Sequence, residues 1–493
     1  MPIRKWWDRA QEVPGAPCVR GFAATADEWK GAARDVAASG GRLLSLWTSQ
    51  YAHSAATFGV FGAYWIDQGI LLAELPVQPE GDAPAYPGLE ETFPAASRLQ
   101  RAAFDLSGVR STDPDRRPWL SGGSDYEFVR VEGDGVHEIA VGPVHAGTIE
   151  PGHFRFSVVG EKVLRLEEHL GYVHKGIERR FTELPILDGH RLAARVSGDS
   201  AVAFSWAYCQ ALEGMAGCAV PRRALWLRAL FLELERIANH LGDLGALGND
   251  AGFAFGLAQF SRLKEQLLRA IDAALGQRYL LDAVVPGGTR VDVTPKSAQG
   301  LEAIIDSIAR ESELLRGIYE DHSGVRDRFT GTGQLDPQLA SRLGVLGLAA
   351  RASGQPLDAR VDLPCKPYDE LSLVKIVRLE GDVAARVAVR FDEVQESCRL
   401  ARQVLVALPD GPHAVPNGNP AAGAFGIGLI EGWRGPVFVA LEAGESGAIH
   451  RCHPHDPSWQ CWPAIEHAII GNIVPDFPLI NKSFNLSYSG VDL

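Results

Sequence analysis

Pro221-Arg-Arg-Ala-Leu-Trp-Leu-Arg-Ala-Leu-Phe-Leu-Glu-Leu-Glu-Arg-Ile-Ala-Asn-His-Leu241 is the stretch from which the architecture follows. Leu227, Leu230, Phe231, Leu234, Ile237 and Leu241 recur at steps of three and four, with one step of one, so they share one broad face of a helix. Pro221 suits the first helical turn, where its missing N–H would have no partner inside the helix. The same periodicity predicts helices from Phe260 to Leu275, from Ser297 to Tyr319 and from Asp392 to Leu408. Four long helices around one core imply a bundle, decorated by strand segments such as Phe154-Arg-Phe-Ser-Val and Val437-Phe-Val-Ala-Leu.

Towards the N-terminus the pattern changes. Residues 1–110 alternate short apolar runs with glycine, as in Leu43-Leu-Ser-Leu-Trp and Gly69-Ile-Leu-Leu-Ala-Glu-Leu, and carry one helical segment, Ser97 to Leu106, which reads as a small α+β domain. Residues 111–135 are rich in Pro, Asp, Arg and Gly, have no period, and are expected to be a linker. The expected fold class is therefore α+β, with a mainly helical bundle over 136–493 behind a small N-terminal α+β domain.

Composition narrows the function. Of 493 residues, 48 are Lys or Arg and 61 Asp or Glu, a formal charge of -13 that disfavours nucleic acid as a partner. The seven cysteines are scattered and never in Cys-x-x-Cys spacing, which suits reduced thiols, most of them core fillers, in a cytoplasmic setting. The opening Met1-Pro-Ile-Arg-Lys-Trp-Trp lacks the apolar run of a signal peptide. The apolar stretch from Phe58 to Val77 is interrupted by Asp67, Gln68 and Glu74, so no direct membrane span is expected and membrane association must come through partners.

A series of motifs then follows in order. Gly142-Pro-Val-His-Ala-Gly, Glu150-Pro-Gly-His-Phe-Arg-Phe and Leu170-Gly-Tyr-Val-His-Lys-Gly-Ile-Glu are followed by Glu233-Leu-Glu-Arg-Ile-Ala-Asn-His-Leu, Val285-Pro-Gly-Gly-Thr-Arg, Arg328-Phe-Thr-Gly-Thr-Gly, Lys366-Pro-Tyr-Asp and Glu431-Gly-Trp-Arg-Gly. The series resembles the large subunit of group 4 membrane-bound nickel–iron hydrogenases of the formate hydrogenlyase type, and its relative, the 49-kilodalton quinone-site subunit of complex I. Phe93-Pro-Ala-Ala-Ser-Arg-Leu-Gln-Arg is similar to a motif of the 30-kilodalton complex I subunit, so the chain resembles a fusion of the two.

In those hydrogenases two Cys-x-x-Cys pairs hold nickel. Here Ser197-Gly-Asp-Ser200 aligns with the first pair and Ser487-Tyr-Ser-Gly490 with the second, so all four thiols are absent. A serine hydroxyl is hard and rarely ionised and cannot replace thiolate at such a centre, so no metal is expected and hydrogenase activity is disfavoured. The resemblance implies that Glu178 matches a proton-transfer glutamate and Arg434 an arginine overhanging the metal. Against this stands a plain internal ion pair that only holds the fold. Complex I uses the vacated cavity for a quinone headgroup, and His153 fits its histidine contact. The tyrosine contact falls on Gly198, and the aspartate partner of the histidine falls near Leu247, with Asp243 and Asp250 as displaced candidates.

Other constellations are weaker. Cys452, His453, His455 and Cys461 are metal-ligating residue types in a short span, but the spacing matches no closed tetrahedral motif. His240 sits inside an apolar helix and reads as a hydrogen-bonded packing residue. Ser200 has neither a nucleophile elbow nor an assignable base.

The implied function is a metal-free subunit of a complex I-related electron-transfer and ion-translocating complex, with a quinone or other redox acceptor in a cavity formed by His153, Ser197, Ser200 and Ser487, and with Glu178, Arg434 and His153 as catalytic candidates. Its implied partners are a small subunit carrying an iron–sulfur cluster and antiporter-like membrane subunits, at the cytoplasmic face of the inner membrane. The alternative is a structural adaptor without redox chemistry of its own.

Overall fold

A computed structural model describes residues 3–51, 57–80, 83–120, 126–147 and 149–493. Met1 and Pro2 of the opening stretch, and residues 121–125 of the expected linker, lie outside the described residues.

The N-terminal region is a five-stranded sheet in the order Gln11–Glu12, Val19–Ala23, Gly69–Val77, Phe58–Ile66, Arg42–Gln50. Val19–Ala23 runs parallel to Gly69–Val77, and the other neighbours are antiparallel. The apolar run from Phe58 to Val77 is the central hairpin of this sheet. Its strands read as continuous apolar runs because both faces are covered. Val60, Tyr64, Leu71 and Ala73 pack with Trp29 and Leu99 of the helices Ala26–Ala38 and Ala96–Ser107. Phe61, Trp65, Ile70 and Leu72, alternating with them as the pleat requires, pack with Ile427, Leu429 and Phe438 of a second, C-terminal sheet.

That C-terminal sheet consists of Phe425–Glu431, Pro436–Ala443 and Ile449–His455, all antiparallel. A further antiparallel sheet, Val136–Val141, His153–Val159 and Lys162–His169, precedes the helices. The expected long helices are present as Arg222–Asp250, Ala254–Leu275, Pro295–Asp321 and Val383–Ala407, the last starting nine residues before the expected Asp392. Pro221 is not in the first turn: it precedes the helix with an extended ψ of 142°, and Arg222 opens it. The fold is thus a mixed α+β N-terminal region followed by a mainly helical bundle.

The N-terminal region holds the 13-residue helix Ala26–Ala38 besides the one expected there, and periodicity also missed a longer helix, Ala201–Ala216. Its sequence, Ala-Val-Ala-Phe-Ser-Trp-Ala-Tyr-Cys-Gln-Ala-Leu-Glu-Gly-Met-Ala, is apolar nearly all round because the helix is enclosed nearly all round, so it has no amphipathic signature. It lies across the strand Phe425–Glu431, and glycines permit the approach: a Cβ on Gly428 would stand 1.8 Å from the Ala207 carbonyl oxygen, and one on Gly426 would stand 2.7 Å from that of Ala211. The long helix Arg222–Asp250 also buries a polar file. Arg228 pairs with Glu213, Glu233 with Arg360, His240 with Glu393 and Asp243 with Arg390. Charges taken so far from water persist only when paired in this way. Among the described residues no helix is long and apolar enough to cross a membrane.

The glycine contact makes a measurable demand. Gly428→Ala is expected to lower stability by at least the ~1–3 kcal/mol typical of an overpacked core. Gly300→Ala, in an exposed helix where a Cβ meets nothing within 4 Å, is expected to raise stability by up to about 1 kcal/mol. Urea denaturation of the two variants checks this, and equal small effects at both positions would contradict backbone-on-backbone packing.

Candidate functional site

Two chain segments almost three hundred residues apart meet beneath Arg434. The first is Ser197-Gly-Asp-Ser200, which leads into the helix Ala201–Ala216. That helix has no cap of its own; the Glu235 carboxylate, from the neighbouring long helix, accepts from the N–H groups of Val202 at 2.7 Å and Ala203 at 3.3 Å. The second segment follows the helix Phe477–Phe484, where Asn485 turns the chain with a left-handed φ of 47°. Ser197 Oγ and Ser487 Oγ lie 2.9 Å apart, and Ser487 Oγ accepts from the Gly490 N–H at 2.9 Å.

Arg434 ties both segments together. Its guanidinium grips the Asp199 carboxylate through both terminal nitrogens, one of them at 2.7 Å. Its Nε donates to the Asn485 carbonyl at 2.6 Å, Nη1 reaches Ser200 Oγ at 3.3 Å, and the Trp433 ring lies 4.1 Å from it. Burial works to raise the Asp199 pKa, and Arg434 together with Ser197 outweighs it, holding the carboxyl below its ordinary range. Ser197, Ser200, Ser487 and Arg434 are all buried. The three hydroxyls point at one another, at Asp199 and at Arg434, and so close the space between the two motifs. A cavity of about 150 Å³ approaches Gly198 and Asp199 from the far side, beside Glu235 and Lys264.

A nickel centre does not fit these residues. Three of the four positions offer neutral hydroxyls already engaged in hydrogen bonds, and the fourth has no side chain. A Cβ on Gly490 would meet the Cβ and Cγ of Asp456 at 2.8 Å. Asp456 is buried, with Oδ2 unpartnered, and burial raises its pKa. The fourth ligand position is thus occupied by the neighbouring carboxylate.

The remaining expected residues lie apart from this cluster. Glu178, in the short helix Ile177–Phe181, is buried and faces the strand Ile449–His455, 2.7 Å from His453 Nδ1 and 2.8 Å from an Arg451 guanidinium nitrogen. Burial opposes its ionisation, but Arg451 and His453 outweigh it and bring its pKa down to about 2. His153 begins the strand His153–Val159, half-buried, with the Phe128 ring at 5.0 Å. It lines a separate cleft of about 760 Å³ with Tyr126, His169, Tyr172 and Arg155. The loop before it reaches the serine cluster through Glu150, whose carboxylate accepts from the Ser489 N–H at 3.1 Å. Asp243 does not partner His153: it accepts from Arg390 at 3.0 Å and from the Asn485 amide at 2.7 Å, supporting the residue whose carbonyl holds Arg434. Asp250 is exposed at the helix end and Leu247 is core.

The metal-ligating residue types of 452–461 are individually committed. His453 faces Glu178 and Ser45, His455 faces Ser45 and Gln460, and the Cys461 thiol, pushed up to about 12 by burial, donates to the Leu346 carbonyl at 3.4 Å. Among the described residues no group of three or more His, Cys, Asp or Glu is arranged to hold a metal ion. Reading the sequence alone missed Asp199 and Asp456. Asp199 carried a signal, as the sole ionisable residue within its motif and a natural counter-ion for a buried arginine.

Residues 250–424 match the family described as the 49 Kd subunit of respiratory-chain NADH dehydrogenase. Formate hydrogenlyase subunit 5 of Escherichia coli (strain K12) is 29% identical over 445 residues, covering 84% of this chain and 78% of that protein. The carbon monoxide-induced hydrogenase of Rhodospirillum rubrum is 30% identical over 353 residues, covering 71% of this chain and 97% of that protein. A solved structure of the membrane-bound sulfane sulfur reductase, an archaeal respiratory membrane complex, superposes with a TM-score of 0.69 at 23% identity, over 73% of this chain and 99% of its own.

Two outcomes follow from the geometry. Gly490→Cys is expected to destabilise the chain by ~1–3 kcal/mol through its clash with Asp456, whereas Gly198→Ala, where a Cβ meets nothing within 4 Å, is nearly neutral; denaturation midpoints compare them, and a neutral Gly490→Cys would mean that the position is open. The Glu178 carboxyl titrates lower in the folded chain than in the unfolded one, so its contribution, about 3 kcal/mol, is fully present above pH ~4.3 and lost as pH falls towards about 2. The stability gap between wild type and Glu178→Gln should therefore narrow over that window in urea titrations, and a gap independent of pH would contradict the assignment.

Proposed function

Because the chain belongs to the family that unites the large subunits of group 4 membrane-bound nickel–iron hydrogenases with the 49-kilodalton subunit of complex I, we propose that it works as the metal-free large subunit of a membrane-bound electron-transfer complex. One observation carries this reading: Arg434, Asp199 and three serine hydroxyls fill, and bond across, the place where the family's thiolates would converge. Electrons arriving from a small iron–sulfur subunit do not end at nickel. The chain sits peripherally, at the cytoplasmic face of the inner membrane, and docks through its partners on antiporter-like membrane subunits.

The redox acceptor, a quinone or a similar two-electron carrier, meets the chain in the cleft at His153. The cleft has the volume of a small-molecule site, with aromatic walls from Tyr126 and Phe128 and hydrogen-bonding groups from His153 and Tyr172. Burial and the neighbouring Arg155 lower the His153 pKa, so the imidazole there is neutral; its Nε2 faces Arg155 Nε at 3.4 Å, a long contact that an acceptor's hydroxyl would replace. The closed serine cluster favours a second reading, in which the chain is a structural adaptor and Arg434 a pin between distant segments.

Purifying the complex through this chain and identifying its subunits tests the assignment. An iron–sulfur protein and polytopic antiporter-like proteins are expected; their absence would overturn it. In the intact complex His153→Ala is expected to raise the KM for a short-chain quinone at least tenfold without changing subunit composition. Unchanged acceptor reduction would favour the adaptor.

A further inference from the structure

Ser45, on the N-terminal strand Arg42–Gln50, stands between two imidazoles of the C-terminal strand Ile449–His455. Glu178 Oε1 lies 2.7 Å from His453 Nδ1, His453 Nε2 lies 2.9 Å from Ser45 Oγ, Ser45 Oγ lies 3.1 Å from His455 Nδ1, and His455 Nε2 lies 3.0 Å from Gln460 Oε1. All five residues are buried, at 5% exposure or less.

Both ends of this chain accept hydrogen. Gln460 directs its amide nitrogen at the carbonyls of Leu44, at 2.7 Å, and Leu43, at 3.4 Å, so its oxygen is the atom that faces His455. At the other end Arg451 pairs with Glu178 and keeps it a carboxylate. Two acceptor ends joined by four links require four hydrogens. Neutral His453, neutral His455 and Ser45 bring one each. One hydrogen is lacking, and without it some link would set two lone pairs face to face in a dry core, where an unmet hydrogen bond costs most.

We propose that Glu178–His453–Ser45–His455–Gln460 is a proton-binding site that holds one additional proton at neutral pH. The proton resides on His453. The charged and titratable groups facing that ring are Glu178 from the helix Ile177–Phe181 and, on its own strand, Arg451 and His455; from the opposite sheet come the Ser45 hydroxyl and the stacked Trp47 ring, 5.1 Å away. Burial drives both imidazoles towards neutrality. It lowers the pKa of both, that of His455 to about 3, and on His453 the Glu178 carboxylate only partly offsets it; the unmet fourth hydrogen bond is the further cost that keeps the proton on His453.

The proton can move one step. His453 Nε2 passes its proton to Ser45 Oγ as Ser45 passes its own to His455 Nδ1, leaving His453 neutral and His455 charged, with every link still filled. Gln460 cannot pass it on, so the site is a store. Because Ser45 belongs to one sheet and both histidines to the other, loading and release are coupled to the seating of the N-terminal sheet. This holds whether or not the chain meets a redox acceptor.

Nitrogen NMR of the full-length chain labelled at histidine, with His453→Gln and His455→Gln for assignment, tests the proposal. At pH 7 His453 is expected as an imidazolium, protonated on both nitrogens, and His455 as the neutral form protonated on Nε2. In Ser45→Ala the two middle links vanish, the remaining two need only the hydrogens of neutral rings, and His453 should lose one proton and become neutral. A neutral His453 in the wild type, or a charge on His453 that survives Ser45→Ala, would overturn the proposal. The wild-type spectrum decides alone if the variant does not fold.

Discussion

The pairing of Arg434 with Asp199 is the constraint around which this molecule is arranged. A guanidinium buried this deeply must find a carboxylate and enough acceptors, and it finds them on two segments that are remote in sequence. Asp199 is delivered by the turn that opens the helix Ala201–Ala216, and the Asn485 carbonyl by a left-handed turn after the helix Phe477–Phe484. Asp243 and Arg390 hold Asn485 in turn, which ties the pair to the middle of the bundle. Where the relatives' motif would place soft anionic ligands, charge is still neutralised, by an organic ion pair whose guanidinium is buried and whose carboxylate is partly exposed.

The same economy runs through the rest of the interior. The helix Arg222–Asp250 is enclosed by its neighbours, and its polar residues face the core as paired ions: Glu233 takes Arg360, the Tyr368 hydroxyl at 2.6 Å and the Ser397 hydroxyl at 2.6 Å, and Arg351 joins Glu393 to Glu431. Where the N-terminal and C-terminal sheets meet, aromatic stacking does the equivalent task. Trp47 lies 5.1 Å from Phe61 and 5.1 Å from His453, so the apolar interface runs straight into the polar chain that contains Ser45.

Much of this was legible in the sequence. The helices Ala254–Leu275 and Pro295–Asp321 were visible because each keeps one wet face, Arg222–Asp250 because its buried ions interrupt the apolar residues at a helical period, and the strands around Phe154 and Val437 because β-branched and aromatic residues cluster there. The helix Ala201–Ala216 was not, since a segment surrounded on nearly every side has no reason to alternate. Pro221 was read one position too deep, as an N-cap residue and a first-turn residue make the same demand on a missing N–H. Of the site, the serines and Arg434 could be found by position in a motif series. Asp199, inside the same motif, was legible as its sole ionisable residue, whereas Asp456 and the Glu178 partners were not, as ion-pair geometry leaves no periodic trace.

By itself the sequence determined the family, the helical bundle, and the loss of four thiolates, because these rest on residue type and order, which the chain carries explicitly. Only the tertiary structure decided whether the vacated positions are a cavity or a closed cluster, that Glu178 and His153 stand apart from it, and that Asp456 fills the space beside Gly490. Those outcomes depend on distances between residues from tens to hundreds of positions apart, and such distances are set by how helices and sheets pack, which no local pattern of residues records.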